Sequence, residues 1–260
     1  MILTVDAGNT STVFGFYHET ELRYSFGILT KPYRSVDEYE MLLDNICIRG
    51  QIEIETLEGA IISSVVPPLN EKLKTAVENF VGKRPVIVGH GLKTGVNIRI
   101  DNHTQLGSDI VSNVAAAAVK LQKPFAVIDL GTATTVAVVN EAGEMPGVMI
   151  IPGVGIATEA LADNAAELTQ ISLGKPVSFL GKNTGESMNS GSVYGTAVMI
   201  DGLIARLKKE LGFDRLSVIA CGGLAEKIIP FCENNITIDK NLTLDGINRI
   251  YMLNRRERKA

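Results

Sequence analysis

The sequence predicts an α/β fold built from two related halves, and two observations carry this prediction. Short apolar runs typical of strands alternate along the 260 residues with runs whose apolar residues recur at helical spacing. The strand and polar turn at residues 2–13 also recur, each copy containing Asp-x-Gly, at residues 126–136. Because a repeat of this kind marks a duplicated structural unit, we expect two similar domains, residues 1–116 and 117–260.

The first half is predicted to begin with two strands and to continue with alternating helices and strands. Apolar residues recur at helical spacing in residues 35–48 and 68–81, and residues 109–121 are rich in alanine, a strong helix former. The predicted strands of this half are residues 2–5, 12–17, 59–66 and 85–88.

The second half is predicted to follow the same plan. Its predicted strands are residues 125–129, 135–140 and 216–220, of which the first two form a hairpin, and its predicted helices are residues 191–211 and 244–253. Residues 145–162 are largely apolar over nearly the length of a membrane span, but they contain several prolines and glycines and Glu159. Since these residues break a helix, we predict a buried strand and a loop here.

The composition excludes several classes of protein. The net charge is −4 with acidic and basic residues interspersed, whereas binding to nucleic acid requires clustered Lys and Arg. Cys47, Cys221 and Cys232 include no C-x-x-C pair, so neither a disulfide framework nor a zinc site is indicated. The first apolar run is too short for a signal peptide and has no basic leader. We therefore expect a soluble cytoplasmic protein that binds neither nucleic acid nor a membrane.

Each copy of the repeat ends a strand in an Asp-x-Gly turn that suits phosphate binding. Glycine permits the positive φ expected of a tight turn, and its bare backbone lets a phosphate approach N–H groups. Side-chain donors follow at Asn9, Thr10, Ser11 and Thr12 in the first loop and at Thr132, Thr134 and Thr135 in the second. Asp6 and Asp129 would repel a phosphate, so we expect them to hold a cation such as Mg²⁺, or its waters. A plain turn is the alternative for one copy alone, but two donor-rich copies favour phosphate binding.

Two further positions are candidates for function, each with a simpler structural alternative. Gly222 and Gly223 follow a strand and precede a helix, where an adenine or ribose can lie on bare backbone or where a helix merely begins. Asp109 lies in the first turn of the alanine-rich helix. There it either caps the helix or accepts the proton of a substrate hydroxyl that attacks the γ-phosphate of ATP.

Six segments resemble, in sequence and in order, the motifs of type III pantothenate kinases. They are D-A-G-N-T at 6–10, S-S-V-V-P-P-L at 63–69, G-S-D at 107–109, D-L-G-T-A-T-T at 129–135, G-K-N-T at 181–184 and G-G-L-A at 222–225. The resemblance implies an acetate and sugar kinase/Hsp70/actin fold, in which two duplicated actin-like (ribonuclease H-like) ATPase domains have a nucleotide cleft between them. It also implies phosphorylation of pantothenate by ATP in coenzyme A biosynthesis, a cytoplasmic homodimer, and a need for Mg²⁺ and a monovalent cation, K⁺ or NH₄⁺.

The resemblance also implies roles for individual residues. ATP phosphates would be bound by Asp6, Ala7, Gly8, Asn9, Thr10, Ser11, Thr12, Val13 and Thr132. Asp129 would hold the monovalent cation, Asp6 would hold Mg²⁺ through water, and Asp109 would be the general base. The pantothenate pocket would include Gly107, Ser108 and Thr184, the last from the neighbouring subunit, and the positions occupied by Ile100 and Ile110.

The chain departs from the family pattern at the acceptor end. The family usually has an arginine, which binds the carboxylate of pantothenate, where this chain has Ile110, and Tyr-x-Asn-Pro where it has I-D-N-H at 100–103. The loss of one charge-assisted contact costs about 1.5–3 kcal/mol. The candidates for supplying the missing charge are Arg99, His103, Lys175 and Lys182. Three hypotheses follow: a pantothenate kinase, a kinase of another small hydroxyl substrate, and a nucleotide-binding regulatory protein without catalysis.

Overall fold

The computed structural model describes residues 1–102 and 105–255 and has a mixed α/β structure. The strands are β1 (Ile2–Ala7), β2 (Ser11–His18), β3 (Glu21–Leu29), β4 (Gly59–Ser64), β5 (Val86–Ile87), β6 (Asn97–Ile98), β7 (Phe125–Leu130), β8 (Ala133–Val139), β9 (Glu144–Met145), β10 (Gly147–Pro152), β11 (Ser217–Cys221) and β12 (Thr237–Ile238). The helices are α1 (Val36–Gly50), α2 (Pro67–Val81), α3 (Ser108–Lys120), α4 (Val154–Asn164), α5 (Thr184–Leu211), α6 (Ala225–Ile228) and α7 (Leu242–Asn254). None of the described helices combines the length and the apolar composition that crossing a bilayer requires.

Contacts between Cα atoms group the chain into two units. The first comprises Met1–Val119 and the segment that begins at Asn241, and the second comprises Lys120–Lys240. This grouping differs from the expected halves, residues 1–116 and 117–260, chiefly at the C-terminal end. Helix α7 belongs with the first unit because Leu244, Ile247 and Ile250 join a buried cluster with side chains of the first sheet.

The first unit is built on a five-stranded sheet with helices on both faces. The strand order is β3-β2-β1-β4-β5, in which β1 pairs antiparallel with β2 and parallel with β4. Helices α1 and α2 pack on one face, in a buried cluster that includes Leu3, Val5 and Leu43. Helices α3 and α7 contribute Ala115 and Ile247 to the cluster on the opposite face.

The second unit repeats the sheet of the first. Its order, β10-β8-β7-β11-β12, again places a three-stranded antiparallel meander beside two parallel strands. Helix α5 covers one face through Val193, Ala197 and Ile200, which share a buried cluster with Ile128 and Leu130 of β7. The shared strand order confirms the duplicated α/β fold that the sequence repeat predicts.

Several elements differ from the prediction. Ile150 of β10 is 68% exposed, so this strand is not buried, and α4 replaces the expected loop. Pro152 and Gly153 precede α4 and do not interrupt it, because proline and glycine are tolerated at a helix start. Helix α5 begins at Thr184 rather than at residue 191, because the side chain of Asn183 caps it by accepting a hydrogen bond from the Glu186 N–H. The prediction also lacks β3, an edge strand with alternating burial.

Candidate active site

The first Asp-x-Gly loop connects β1 to β2. The strands pair Asp6 with Val13 and Ala7 with Thr12, and the Gly8 N–H donates a 2.9 Å hydrogen bond to the Ser11 carbonyl. Gly8 does not adopt the positive φ that the sequence predicts, and neither does Gly131 in the second loop. Glycine is required here by space instead, because a Cβ at Gly8 would lie 3.1 Å from the Ser11 carbonyl oxygen. The loop therefore presents bare backbone without backbone strain.

Thr30, which the sequence did not indicate, holds this loop in place through the hydrogen bonds of its hydroxyl. Its hydroxyl donates a 2.6 Å hydrogen bond to the Gly8 carbonyl and lies 2.9 Å from the Thr12 hydroxyl, which must then be the donor of that second bond. Thr12 and Thr30 are fully buried. The expectation that the Thr12 hydroxyl points to a phosphate is therefore wrong, because that hydroxyl faces the interior. Exposed side-chain donors remain at Asn9, Thr10 and Ser11.

The carboxylate of Asp109 lies at the start of α3, half-buried against its own helix. Its Oδ1 accepts a 2.8 Å hydrogen bond from the Ile110 N–H. Burial raises the pKa of Asp109, and the backbone N–H groups of Ile110 and of Asp109 itself oppose that rise without cancelling it. A carboxylate whose pKa is raised is a stronger base, which is the property that abstraction of a hydroxyl proton needs.

Ser63 links the first loop to the start of α3. It lies opposite Asp6 in the parallel pairing of β1 and β4, and its hydroxyl donates a 2.8 Å hydrogen bond to the Ser108 hydroxyl. The Val65 N–H also donates to the Ala7 carbonyl, at 3.1 Å. The carboxyl ends of β1 and β4 and the first residues of α3 therefore form one hydrogen-bonded group. The sequence marked Ser63 only as part of the S-S-V-V-P-P-L motif at residues 63–69 and assigned it no role.

A cavity of about 570 Å³ opens beside this group, within the first unit. Gly107 and Ser108 line one wall, and the segment after β5, from Val88 to Leu92, lines another. Of the other residues expected to contact the acceptor, Ile110 is only 5% exposed, because its side chain is buried in the core beneath α3. Ile100 is half-buried and does not line the cavity. Thr184 lies in the second unit, at the start of α5.

The second Asp-x-Gly loop connects β7 to β8 and is tighter than the first. The strands pair Asp129 with Thr135, and the Gly131 N–H donates to the Ala133 carbonyl at 3.2 Å, which makes the loop one residue shorter. Thr132 is exposed, whereas Thr134 and Thr135 are buried. The expectation that all three threonines offer donors is therefore wrong for Thr134 and Thr135, because both are buried within strand β8.

Gly222 lies directly beside Asp129, because β7 and β11 are parallel and end at the same edge of the sheet. Cys221 pairs with Asp129, and the Leu224 N–H donates to the Leu130 carbonyl at 3.1 Å. Gly222 has φ +91°, and a Cβ there would overlap Asp129 Oδ1. A Cβ at Gly131 would lie 3.2 Å from the same oxygen. Glycine at both positions therefore lets the carboxylate of Asp129 lie directly against the backbone at this edge of the sheet.

A cation beside Asp129, or one near Asp6, would be held by fewer than three His, Cys, Asp or Glu side chains of the described residues. Among the residues that the structure describes, no group of three His, Cys, Asp or Glu side chains is arranged to hold a metal ion. The remaining ligands would then be backbone oxygens, water or the phosphates of a nucleotide. This is the usual pattern for Mg²⁺ at a nucleotide, which takes one or two carboxylates and completes its shell with water and phosphate.

Comparison with known proteins identifies the relatives of this chain. A family model for type III pantothenate kinases matches residues 2–206. The type III pantothenate kinase of Exiguobacterium sibiricum is 39% identical over 98% of this chain and 100% of its own length. That of Syntrophotalea carbinolica is 36% identical over 98% and 100%.

A solved structure of component A of (R)-2-hydroxyglutaryl-CoA dehydratase from Acidaminococcus fermentans is similar in fold alone. Its TM-score is 0.56 at 13% identity, covering 96% of each chain. The two five-stranded sheets and the similarity to this solved structure agree with the two-domain actin-like architecture that the sequence predicts. The family match and the full-length identities agree with the order of the six sequence motifs. The chain therefore belongs to the type III pantothenate kinase family.

Proposed function

We propose that this protein transfers the γ-phosphoryl group of ATP to the hydroxyl of pantothenate, giving 4'-phosphopantothenate in the first step of coenzyme A biosynthesis. The observation that carries the proposal is the half-buried Asp109, whose pKa is raised, beside an open cavity in a chain related over its full length to pantothenate kinases. Asp109 does not itself line that cavity, but its carboxylate lies against Gly107, where a Cβ would overlap Asp109 Oδ1, and Gly107 does line it.

In this mechanism Asp109 accepts the proton of the attacking hydroxyl. Its Oδ1 is oriented by the Ile110 N–H, which leaves Oδ2 to take the proton. The backbone and exposed donors of the first loop bind phosphate oxygens, and Ser63 and Ser108 keep that loop and the base in fixed relation. Such positioning supplies most of the catalysis in phosphoryl transfer.

The cofactors of the proposed reaction are ATP, Mg²⁺ and a monovalent cation. Asp6 would hold Mg²⁺, through water, and Asp129, whose carboxylate lies against Gly131 and Gly222, would hold K⁺ or NH₄⁺. When bound, the cations neutralise charge on the phosphates. Gly222, Gly223 and Thr132 are the candidates for contacts with the nucleotide in the second unit.

We also propose that the protein is a cytoplasmic homodimer joined through its second unit. The segment before α5 exposes three large apolar side chains, Val177, Phe179 and Leu180, at 85%, 66% and 77%. Val198 on the surface of α5 is exposed at 66%. An exposed apolar surface of this kind is typical of a protein interface, and a second copy would cover it. Light scattering is expected to give twice the 27.9 kDa of one chain, and a monomer mass would contradict the proposal.

The direct test is ADP release by the purified protein with ATP, Mg²⁺ and K⁺, with and without saturating pantothenate. We expect turnover that depends on pantothenate, at about 1–100 s⁻¹, the ordinary range for kinases. Omission of K⁺ is expected to lower the rate. ATP binding without such turnover would reject the proposed reaction.

One alternative is a kinase of another hydroxyl substrate, which the burial of Ile110 in place of the family arginine favours. It predicts that some alcohol without a carboxylate is phosphorylated faster than pantothenate in a panel of acceptors. If pantothenate is the best acceptor, this alternative is excluded. A regulatory protein without catalysis predicts ATP binding and no turnover with any acceptor.

Gly222→Ala is expected to weaken activation by the monovalent cation. The new Cβ overlaps both Asp129 Oδ1 and the backbone of Leu130, so the carboxylate and the end of β7 must move. We expect the K⁺ concentration for half-maximal activity to rise about 10-fold or more, the effect of about 1.4 kcal/mol. Gly212→Ala is the matched control. Gly212 also has a positive φ, +68°, but its Cβ would meet nothing within 4 Å. If the two variants responded equally to K⁺, Asp129 would not be a ligand of the monovalent cation.

A further inference from the structure

The cavity beside Gly107 and Ser108 is lined by a histidine that the sequence did not indicate. Most of the residues lining it are apolar or carry a neutral polar group, such as Ser64, Thr94 and Gln105. Among the described lining residues, only His90 has a side chain that can become positively charged. It lies on the exposed segment after β5 and lines the same cavity as Gly107 and Ser108.

A pocket for pantothenate needs such a group. The acceptor carries its hydroxyl at one end and a carboxylate at the other, and an unpaired carboxylate inside a protein is strongly unfavourable. Ile110 cannot pair with it. Arg99, one of the residues expected to supply the missing charge, does not line the cavity, and Lys175 and Lys182 belong to the second unit. His103 lies outside the described residues.

The segment that carries His90 is held firmly in place by α7. The side chain of Asn254, which is 8% exposed, accepts a hydrogen bond from the Lys93 N–H and donates one to the Lys93 carbonyl, both at 3.0 Å. Gly91 turns the chain with φ +81°, and Thr94 donates to the Val96 carbonyl at 3.0 Å. A side chain on an anchored turn loses little further freedom when it binds a ligand.

We propose that His90 binds the carboxylate of the acceptor and determines its specificity, in place of the missing arginine. The inference rests on the proposed pantothenate kinase activity. A histidine donates a hydrogen bond in either protonation state and adds a positive charge when it is protonated, so it can pair with a carboxylate from one side of the cavity. The hydroxyl end would then lie toward Gly107 and Asp109.

The test compares pantothenate with pantothenol, in which a hydroxymethyl group replaces the carboxylate, for the wild type, His90→Gln and His90→Arg. Wild type is expected to prefer pantothenate. His90→Gln is expected to raise KM for pantothenate about 10-fold or more, with a smaller change in kcat, and to bring the kcat/KM ratio of the two acceptors toward one. His90→Arg, which keeps a positive charge, is expected to restore the preference. His18→Gln, an exposed histidine at the end of β2, is the control and is expected to behave as wild type.

The outcomes separate this inference from the proposed function. Turnover of pantothenate by wild type, with the same acceptor ratio in His90→Gln, would overturn the role of His90 and leave the kinase activity standing. An equal loss of kcat/KM with both acceptors in His90→Gln would show that His90 only supports the fold of the segment. Wild-type protein that turns over neither acceptor would overturn both proposals.

Discussion

Asp109→Asn is expected to lower kcat by about 10²- to 10⁴-fold, the contribution of a general base, while leaving the protein at least as stable as wild type. The amide is isosteric and its oxygen can still accept the hydrogen bond from the Ile110 N–H, but it cannot take a proton. The stability expectation follows from the raised pKa of Asp109. Because burial disfavours the charged carboxylate in the folded state, the cost is complete above the pKa of the folded state and disappears as the pH falls below the pKa of the unfolded chain.

The measurements are kcat at saturating pantothenate and the thermal midpoint at pH 7. Asp37→Asn is the matched control, since Asp37 also lies in the first turn of a helix, α1, but outside the site. It is expected to retain full activity and to lose up to about 1 kcal/mol through weaker interaction with the helix dipole. Full activity in Asp109→Asn would reject the mechanism. A large loss of stability in Asp109→Asn would favour helix capping as the role of this residue.

Gly246→Ala is expected to destabilise the protein by about 3 kcal/mol or more, although alanine is the better helix former. Gly246 lies in α7 at its contact with α3, where a Cβ would overlap the Ser112 carbonyl oxygen. That oxygen belongs to the backbone of α3, so it can yield only if one helix moves. Movement of α3 would also displace Ser108 and Asp109, so activity should fall with stability.

Urea denaturation of both units and the ADP-release assay test this prediction. Gly202→Ala in α5 is the control, because its Cβ would meet nothing within 4 Å and the substitution should stabilise the protein by roughly 0.5–1 kcal/mol. A Gly246→Ala variant as stable as wild type would show that the two helices are not in close contact there.

The sequence predicts the strand ends of the site well, because they follow from local patterns. Asp6 and Asp129 each end a buried strand, and glycine follows two residues later, so the loops could be located from the repeat. The direction of the donors could not be predicted. The Thr12 hydroxyl faces inward because it bonds to the Thr30 hydroxyl, and Thr30 directly follows β3, a strand that the sequence prediction lacks.

The residues of the acceptor pocket could not be predicted either, because the sequence does not give the directions of their side chains. Asp109 and Ile110 are neighbours in sequence, but successive residues of a helix point about 100° apart, so one side chain reaches the site while the other enters the core. His90 approaches the same cavity from a segment that follows another strand. The position of His90 depends on the path that the segment after β5 takes relative to α3, and no local pattern in the sequence specifies that path.

The return of α7 to the first sheet bears on how the chain folds during synthesis. The second unit is continuous in sequence, whereas the first needs a helix that is synthesised after the whole of the second unit. Until α7 is made, Ile2, Tyr17 and Ile61 on one face of the first sheet lack their partners Leu244, Ile247 and Ile250. The nascent chain can therefore complete its second unit before the first, which carries Asp109.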